Sequence, residues 1–310
     1  MKIILISLFI LLAKFGFAQN ATATFVEVDV DQTQERNLQN SSNTYSTKSI
    51  SLNLNIPLRR DVNESSLTYS YLGIRPYINR TVSDLNLFYN SHIFYQSGIN
   101  GLAMKSNKKK SGFIIVTIDF QGDNKFISNI TPIISGAGLY RYKPSPKYGW
   151  LAGLAYSFSY GRGLPLPILG FTYGNYNSWN FNFIVPLSFS FSSPKSNKGG
   201  ITFLFSPKGF INRIENESYI TLTDNNFFRS NGFYFGISGF YKITTRIFAS
   251  LEIGGITRRK LSVSDANSSI HESIWSSSVE NSPVLNFKIL YSFKSSNMVD
   301  ELLNSIVEQF

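Results

Sequence analysis

Cysteine is absent from this sequence of 310 residues, and only two histidines, His92 and His271, occur in it. The lack of cysteine excludes a disulfide framework, a thiolate metal site and a cysteine nucleophile together. The scarcity of histidine leaves few candidates for a general base or an imidazole ligand. Stability and function must therefore come from backbone pairing, apolar surface and the remaining polar groups.

Charged side chains are also scarce, because they make up only 15% of the residues, the same share as the aromatic side chains. Soluble domains average about a quarter charged residues. Beyond the N-terminal segment, no apolar run approaches the roughly 18 residues that a membrane-spanning helix needs. This combination predicts a β-barrel whose outer face meets lipid and whose inner face is neutral and polar.

The N-terminal segment, MKIILISLFILLAKFGFAQN, has the pattern of a secretory signal peptide. Lys2 precedes an apolar run from Ile3 to Ala13, and the small residues Gly16 and Ala18 precede Gln19. The run is too short for a transmembrane helix and ends at a cleavage-like site. We expect a signal peptide at residues 1–18 that is cleaved after Ala18.

Apolar residues alternate with small or polar ones along the mature chain. From Trp150 to Tyr160, residues of one parity are mostly bulky and apolar or aromatic, and those of the other parity are Gly, Ala and Ser. The segments STKSISLNLNIPL and VLNFKILYSF follow the same pattern, which suits strands between lipid and a polar lumen. A soluble sandwich would also alternate, but its polar face would carry more Lys and Glu.

These patterns predict an all-β fold, an antiparallel up-and-down transmembrane β-barrel at residues 19–293. Bacterial barrels have an even number of strands, with short periplasmic turns and longer outer loops. When turns are assigned alternately to the two sides, working back from the last strand, about 14 strands result, with 12 as the alternative. The segments Thr257 to Ser282 and Pro207 to Arg229 are then expected to be outer loops.

Three prolines within residues 161–191 bear on the number of strands. An even count requires a turn between Trp179 and Phe191, and Pro186 is the expected corner because proline cannot donate to a β-ladder. The alternative is one continuous strand with a bulge at Pro186 and another strand elsewhere. Pro165 and Pro167 are expected to mark a second outer corner.

Beyond Phe293 the pattern changes to helical spacing in KSSNMVDELLNSIVEQF. Residues 294–310 are therefore expected to form a short C-terminal amphipathic helix, with Asn297 as its cap. Packing against the periplasmic rim is its expected role, and plugging the lumen is the alternative.

The segments LPLPILGFTYG, NSWNFNFIVPLSFSF, ASLEIGG and VLNFKILYSF resemble an uncharacterised group of Bacteroidota outer-membrane barrels, the domain-of-unknown-function 6268 family. The resemblance covers most of the mature chain but consists of strand and turn patterns. It implies an outer-membrane location and an unassigned function, so it transfers no functional residue. The tail after Phe293 departs from barrels that end at an aromatic residue of the last strand.

Residues with recognisable chemistry are few. His271 lies beside Glu272 and near Ser269 and Ser273, a setting in which an outer-membrane hydrolase could hold its general base. No spacing signature supports that role, and His92 is expected to be a solvated or interfacial residue. We expect no catalytic residue, no cofactor and no metal site, and GRGL lacks the lysine and helix of a phosphate-binding loop.

The net charge of +10 could indicate a nucleic-acid partner. The basic residues concentrate at predicted turns, however, where they would meet lipid phosphates and water. A secreted protein without a recognition motif is not expected to bind nucleic acid. The expected partners are outer-membrane lipid and a small solute as permeant, and the oligomeric state stays open.

Charges that point into the lumen are the better candidates for a functional site. The alternation of FVEVDVDQ turns its valines toward lipid and places Glu27, Asp29 and Asp31 in the lumen. In a closed barrel this strand pairs with the last one, so Lys288 is the expected partner of Glu27 or Asp29. Arg75 and Glu252, also inward by alternation, could extend the pair. Such charges brace a filled lumen or tune permeation, and large inward aromatic residues favour bracing.

The leading hypothesis is therefore an outer-membrane barrel with a passive channel, transport or structural role, and not an enzyme. The first alternative is an outer-membrane hydrolase that uses His271. The second alternative is a secreted soluble all-β adhesin.

Overall fold

The computed structural model describes residues 25–39, 41–63, 66–83, 91–107, 109–122, 131–145, 147–159, 162–174, 178–186, 188–194, 198–214, 226–265, 273 and 275–292. The expected signal peptide, the C-terminal helix and His271 lie outside these residues, so those expectations stay predictions. Within the described ranges, no helix is long and apolar enough to cross a membrane.

One antiparallel sheet contains the strands of these ranges. The strands are β1 (Phe25–Thr33), β2 (Arg36–Asn37), β3 (Thr44–Asn63), β4 (Ser66–Ser83), β5 (Ser91–Asn107), β6 (Lys110–Gly122), β7 (Thr131–Ser145), β8 (Tyr148–Ser159), β9 (Arg162–Tyr173), β10 (Asn180–Val185), β11 (Ser188–Ser192), β12 (Gly199–Ile214), β13 (Asn226–Lys242), β14 (Ile247–Asp265), β15 (Trp275–Val279) and β16 (Ser282–Ser292).

The sheet closes into a barrel because β1 pairs with β16 on one side and with β3 on the other. The short strand β2 prolongs β1 along β3, and Leu38 next to it bridges to Val279 of β15. β15 in turn prolongs β16 along β14. The wall therefore has 14 strands, which confirms the predicted number and closure. The 12-strand alternative and a sandwich fold are wrong.

The two ends of the barrel differ in their connections. Phe25 and Ser292 lie paired at one end, which we call the short-turn end because most connections there are brief. The strand ends that flank the longer connections, residues 84–90, 123–130, 215–225 and 266–274, lie at the opposite end, which we call the long-loop end. The strands reach further toward this end than the sequence predicted, since β12 continues to Ile214 and β14 to Asp265.

The outer face of the wall is apolar, as the alternation predicted. Large apolar side chains are exposed on it around the circumference, among them Ile50, Ile114, Trp150, Phe203 and Ile253. Their neighbours in sequence point inward and are largely polar or small, as in Ser49 and Ser51 of β3. This is the arrangement that a strand between lipid and a polar lumen requires.

The three prolines of the segment 161–191 have different positions. The chain turns at Pro186 between β10 and β11, which pair from Asn180 and Ser192 to Ile184 and Ser188, so this predicted corner is confirmed. The corner predicted at Pro165 and Pro167 is wrong, because both lie within β9, opposite Tyr156 and Leu154 of β8.

The reason for this difference is the length of the neighbouring strand. β10 ends opposite Leu169 of β9, so Pro165 and Pro167 lie beyond the part of β9 that β10 covers. A strand edge without a ladder partner is a place where proline is tolerated.

Candidate functional site in the lumen

The seam between the first and the last strand holds an ion pair. The register places Asp29 of β1 opposite Lys288 of β16, with 3.3 Å between Lys288 Nζ and Asp29 Oδ2. Asn286, two residues earlier on β16, donates from Nδ2 to Asp29 Oδ1 over 2.6 Å. The carboxylate of Asp29 therefore accepts from two side chains of the opposite strand.

The other charged residues predicted for the lumen have separate partners. Glu27 accepts a hydrogen bond of 3.0 Å at Oε1 from Asn53 Nδ2 of β3. Glu252 of β14 lines the same cavity as Lys288. Arg75 of β4 lies apart from that group, with its Nη2 4.0 Å from Asp119 Oδ1 of β6.

A second ion pair spans the lumen between Asp31 of β1 and Lys208 of β12. The strands β13, β14 and β16 separate these two along the wall, so the pair ties distant parts of the barrel together. The ammonium group of Lys208 also lies 5.1 Å from the ring centre of Tyr234. Sequence reasoning missed Lys208 because Pro207 seemed to begin an outer loop. The alternation of FLFSPKGF, which places Lys208 on the parity of Leu204 and Ser206, was the available signal.

Arg259 enters the lumen through a bulge in β14. The pairing of β13 with β14 slips between Asn231 and Phe233, and Arg258 adopts a positive φ of 49°. This left-handed residue reverses the alternation, so the next side chain, Arg259, points inward and is only 4% exposed. A left-handed conformation costs a non-glycine residue about 1 kcal/mol or more.

The guanidinium of Arg259 joins three strands. Its Nε donates to Ser230 Oγ of β13 over 3.1 Å, and its Nη2 lies 3.4 Å from the hydroxyl oxygen of Tyr45 on β3. The group also lies 4.5 Å from the centre of the Tyr45 ring, within the range of a cation–π contact. Alternation alone could not have identified Arg259, because the bulge changes which parity faces inward.

Six of these charged residues surround a polar cavity of about 320 Å³ inside the barrel: Asp29, Asp31, Lys208, Glu252, Arg259 and Lys288. Both signs of charge line it, together with hydroxyl, amide and phenol groups. The lining includes Asp29, Asp31, Thr47, Ser49, Tyr77, Asn79, Lys208, Ser230, Tyr234, Glu252, Arg259, Asn286 and Lys288.

An aromatic cluster fills the lumen at the long-loop end. It consists of Tyr45, Phe94, Phe210 and Phe228, which come from β3, β5, β12 and β13. The rings of Phe94 and Phe228 are nearly parallel, with 6.0 Å between their centres, and Phe210 lies 5.6 Å from Phe94. Since β5 and β12 lie on opposite sides of the wall, these contacts cross the lumen.

A second apolar group borders the lumen at the short-turn end. Tyr69, Met104, Phe113 and Phe248 are buried together there, each within a few residues of a short turn. The polar cavity thus lies between two layers of apolar side chains. Such a lumen is largely filled, which is the arrangement that favours bracing over a wide aqueous pore.

The barrel is also flattened. β6 and β12 are six strands apart along the wall, yet their Cα atoms approach within 8 Å across the lumen. The polar cavity lies on the side of β1, β3, β13, β14 and β16. On the other side, Leu151, Ile168 and Ile184 form an apolar cluster on the inner faces of β8, β9 and β10.

The described part of the chain contains few side chains of the kinds that carry out catalysis. Among those residues, no group of three or more His, Cys, Asp or Glu side chains could hold a metal ion. His92 lies in β5 opposite Thr81.

Comparisons with known proteins give a family and weak structural similarities. No curated protein matches the chain. The COG4313 outer membrane channel from Pseudomonas putida F1 is similar at 11% identity and a TM-score of 0.44, over 88% of this chain and 96% of that one. The P. putida toluene transporter TodX has 9% identity and a TM-score of 0.40, over 90% and 91%. The translocator domain of the autotransporter NalP from Neisseria meningitidis has 11% identity and a TM-score of 0.36, over 90% and 92%.

The family assignment rests on the sequence itself. A family model described as Domain of unknown function (DUF6268) matches residues 16–292, the whole barrel. The strand and turn segments of the sequence predicted the same family. Since the match covers most of the chain, this protein belongs to the DUF6268 family.

Proposed function

We propose that this protein is a barrel of the Gram-negative outer membrane that acts as a narrow passive channel for small solutes, and that it is not an enzyme. The apolar exposed face of a closed 14-strand wall supports the membrane location, because a wall whose first and last strands pair satisfies most of its backbone groups inside lipid.

The polar cavity in the lumen is the observation that carries the channel proposal. Its volume of about 320 Å³ is room for a small solute, and its charges of both signs favour no single sign of permeant. The Asp31–Lys208 ion pair and the aromatic cluster of Tyr45, Phe94, Phe210 and Phe228 restrict its width. The proposed channel is therefore much narrower than the aqueous pore of a 16-strand porin.

A purely structural barrel is the second candidate. The aromatic cluster favours it, because rings from opposite walls meet at the long-loop end. In this case the ion pairs only brace the wall, and no solute crosses.

Purified protein in a planar lipid bilayer tests the proposal. We expect small, steady conductance steps, and fractionation with the outer membrane together with heat-modifiable mobility in detergent gels. An electrically silent barrel that still fractionates with the outer membrane would contradict the channel and support the structural role. A soluble protein without heat-modifiable mobility would contradict both.

A further inference from the structure

The barrel wall has a gap on the long-loop side of the hairpin that β10 and β11 form. β10 covers only Leu169–Tyr173 of β9, and β11 covers only Thr202–Phe205 of β12. β9 continues to Arg162 and β12 to Ile214, and no pairing joins these continuations among the described residues. At the level of the hairpin, β9 and β12 are three interstrand spacings apart, about 14 Å at about 4.8 Å each.

The gap opens inside the apolar band of the outer face. Leu154 and Tyr156 of β8 are 54% and 48% exposed, and they lie opposite Pro167 and Pro165, above the hairpin. On the other side, Phe233 is 41% exposed opposite Pro207 of β12. Apolar side chains therefore flank the gap on both sides, so we place it at the depth of lipid chains and not in the water above them.

The edges of the gap carry prolines. Pro165 and Pro167 lie on the β9 edge, and Pro207 lies two residues beyond the last pair of β12 with β11. Proline on an edge strand opposes the addition of another strand. This argues against a second copy of the chain as the occupant of the gap. The remaining backbone groups of these edges would be costly in lipid alone, so the gap must also meet the water of the lumen.

The inner side of the wall next to the gap is apolar as well. Ile168 and Ile184 pack with Leu151 on the inner faces of β9, β10 and β8. β9 carries no charged residue from Gly163 to Tyr173, and its exposed outer face includes Pro165 and Leu169. On the other edge of the gap, Lys208 of β12 borders the polar cavity, and Arg141 of β7 is a buried charge on the near side of the β6–β12 approach. The apolar path therefore follows the β9 edge. A strand that is apolar on both faces offers a continuous apolar path around its edge.

We infer that this gap is a lateral opening, through which a small uncharged apolar molecule passes between the lumen and the outer leaflet of the membrane. The inference rests on the proposed channel function and names the class of solute. Such a molecule partitions into lipid, so an exit through the wall spares it passage through the polar cavity.

A longer β10–β11 hairpin tests the opening by completing the wall. Four residues of alternating Thr and Val are inserted after Val185 and four before Ser188, an even number that keeps the inward and outward faces in register. Pro165→Thr, Pro167→Thr and Pro207→Thr accompany the insertions, so that the new ladders can form. The matched control carries the three proline substitutions with the hairpin of natural length. Heat-modifiable mobility reports whether each variant folds.

Cells that produce each barrel are exposed to N-phenyl-1-naphthylamine, an uncharged aromatic probe that fluoresces in lipid, and purified barrels are recorded in planar bilayers. We expect faster probe entry with the natural chain and the control than without the barrel. With the folded long-hairpin variant, entry falls to the rate of cells without the barrel, while ion conductance is unchanged.

Four outcomes would overturn the inference. Equal probe entry through the folded long-hairpin variant and the natural chain contradicts the lateral opening and leaves the channel standing. If the natural chain conducts ions but does not admit the probe, the lateral opening is also contradicted and the channel still stands. If the natural chain shows neither ion conductance nor probe entry, both the channel and the lateral opening are contradicted. If the long-hairpin variant does not fold, the single variants Leu166→Cys and Ser51→Cys, each labelled with a fluorescent dye, decide the question. Only the label at position 166 should be quenched by nitroxide lipids. Equal quenching of the two labels contradicts the opening.

Discussion

Asp29 and Lys288 face each other across the seam of the barrel, with the ammonium nitrogen 3.3 Å from a carboxylate oxygen. The two residues are 259 positions apart in the chain, and the pairing of β1 with β16 brings them together. The pair therefore joins the first strand to the last at the point where the barrel closes. Glu27 and Glu252 lie on the same inner face nearby, so Lys288 is set among carboxylates.

Lys288→Glu is expected to destabilise the folded barrel. The change places a further carboxylate beside Asp29, Glu27 and Glu252. We expect the free energy of unfolding to fall by about 1–3 kcal/mol, less than for a fully buried pair because Lys288 is partly exposed. Urea unfolding in lipid vesicles measures it. The double variant Asp29→Lys with Lys288→Glu should recover most of the loss. Unchanged stability with altered conductance would contradict bracing and support a role in permeation.

Lys208→Met tests the ion pair that crosses the lumen. The substitution keeps the unbranched stem of the side chain but removes the ammonium group that pairs with Asp31, so we expect a loss of about 1–3 kcal/mol in the free energy of unfolding. Lys260→Met, at an exposed position of β14, is the matched control and should change stability little. Equal effects of the two substitutions would show that the Asp31 contact contributes nothing.

Arg258 offers a test of the bulge in β14. Its φ of 49° favours glycine and strongly disfavours a β-branched residue. Arg258→Gly should leave the free energy of unfolding unchanged or raise it by up to about 1 kcal/mol, because relief of strain offsets the greater freedom of the unfolded chain. Arg258→Val should lower it by about 1 kcal/mol or more. The opposite order of the two variants would contradict the left-handed conformation.

Arg259→Leu separates the role of the inward guanidinium from that of the bulge. It removes the contacts with Ser230 and Tyr45 while keeping an apolar body next to the aromatic cluster. We expect Arg259→Leu to lower the free energy of unfolding. The double variant with Ser230→Ala should lose less than the sum of the two single losses, because the two residues share a hydrogen bond. Strict additivity in a double-mutant cycle would argue against that hydrogen bond.

Local alternation, together with the even strand number of bacterial barrels, was enough to predict the barrel, its 14 strands and the inward direction of Asp29 and Lys288. Pro186, Pro165 and Pro167 show where local reasoning ends. Pro186 turns the chain, whereas the other two lie in a strand because the neighbouring strand has already ended, which no nearby residue reveals.

Lys208 and Arg259 show two further limits. Lys208 follows Pro207, which suggested the start of an outer loop, although the alternation of FLFSPKGF continues through it. Arg259 depends on a bulge that reverses the alternation, and a bulge at Arg258 has no sequence signature without glycine. Only the position of Arg259 therefore needed the pairing of distant strands to be recognised.

Single-channel recording of the natural chain beside an aromatic variant tests the central claim most directly. The variant carries Phe94→Ala and Phe228→Ala, which open the cluster at the long-loop end, and Phe235→Ala on the lipid-facing side of β13 is the control. The account predicts small conductance steps for the natural chain and the control, and larger steps for the aromatic variant. Silent barrels in all three cases, or a wide-pore conductance that the aromatic variant leaves unchanged, would contradict it.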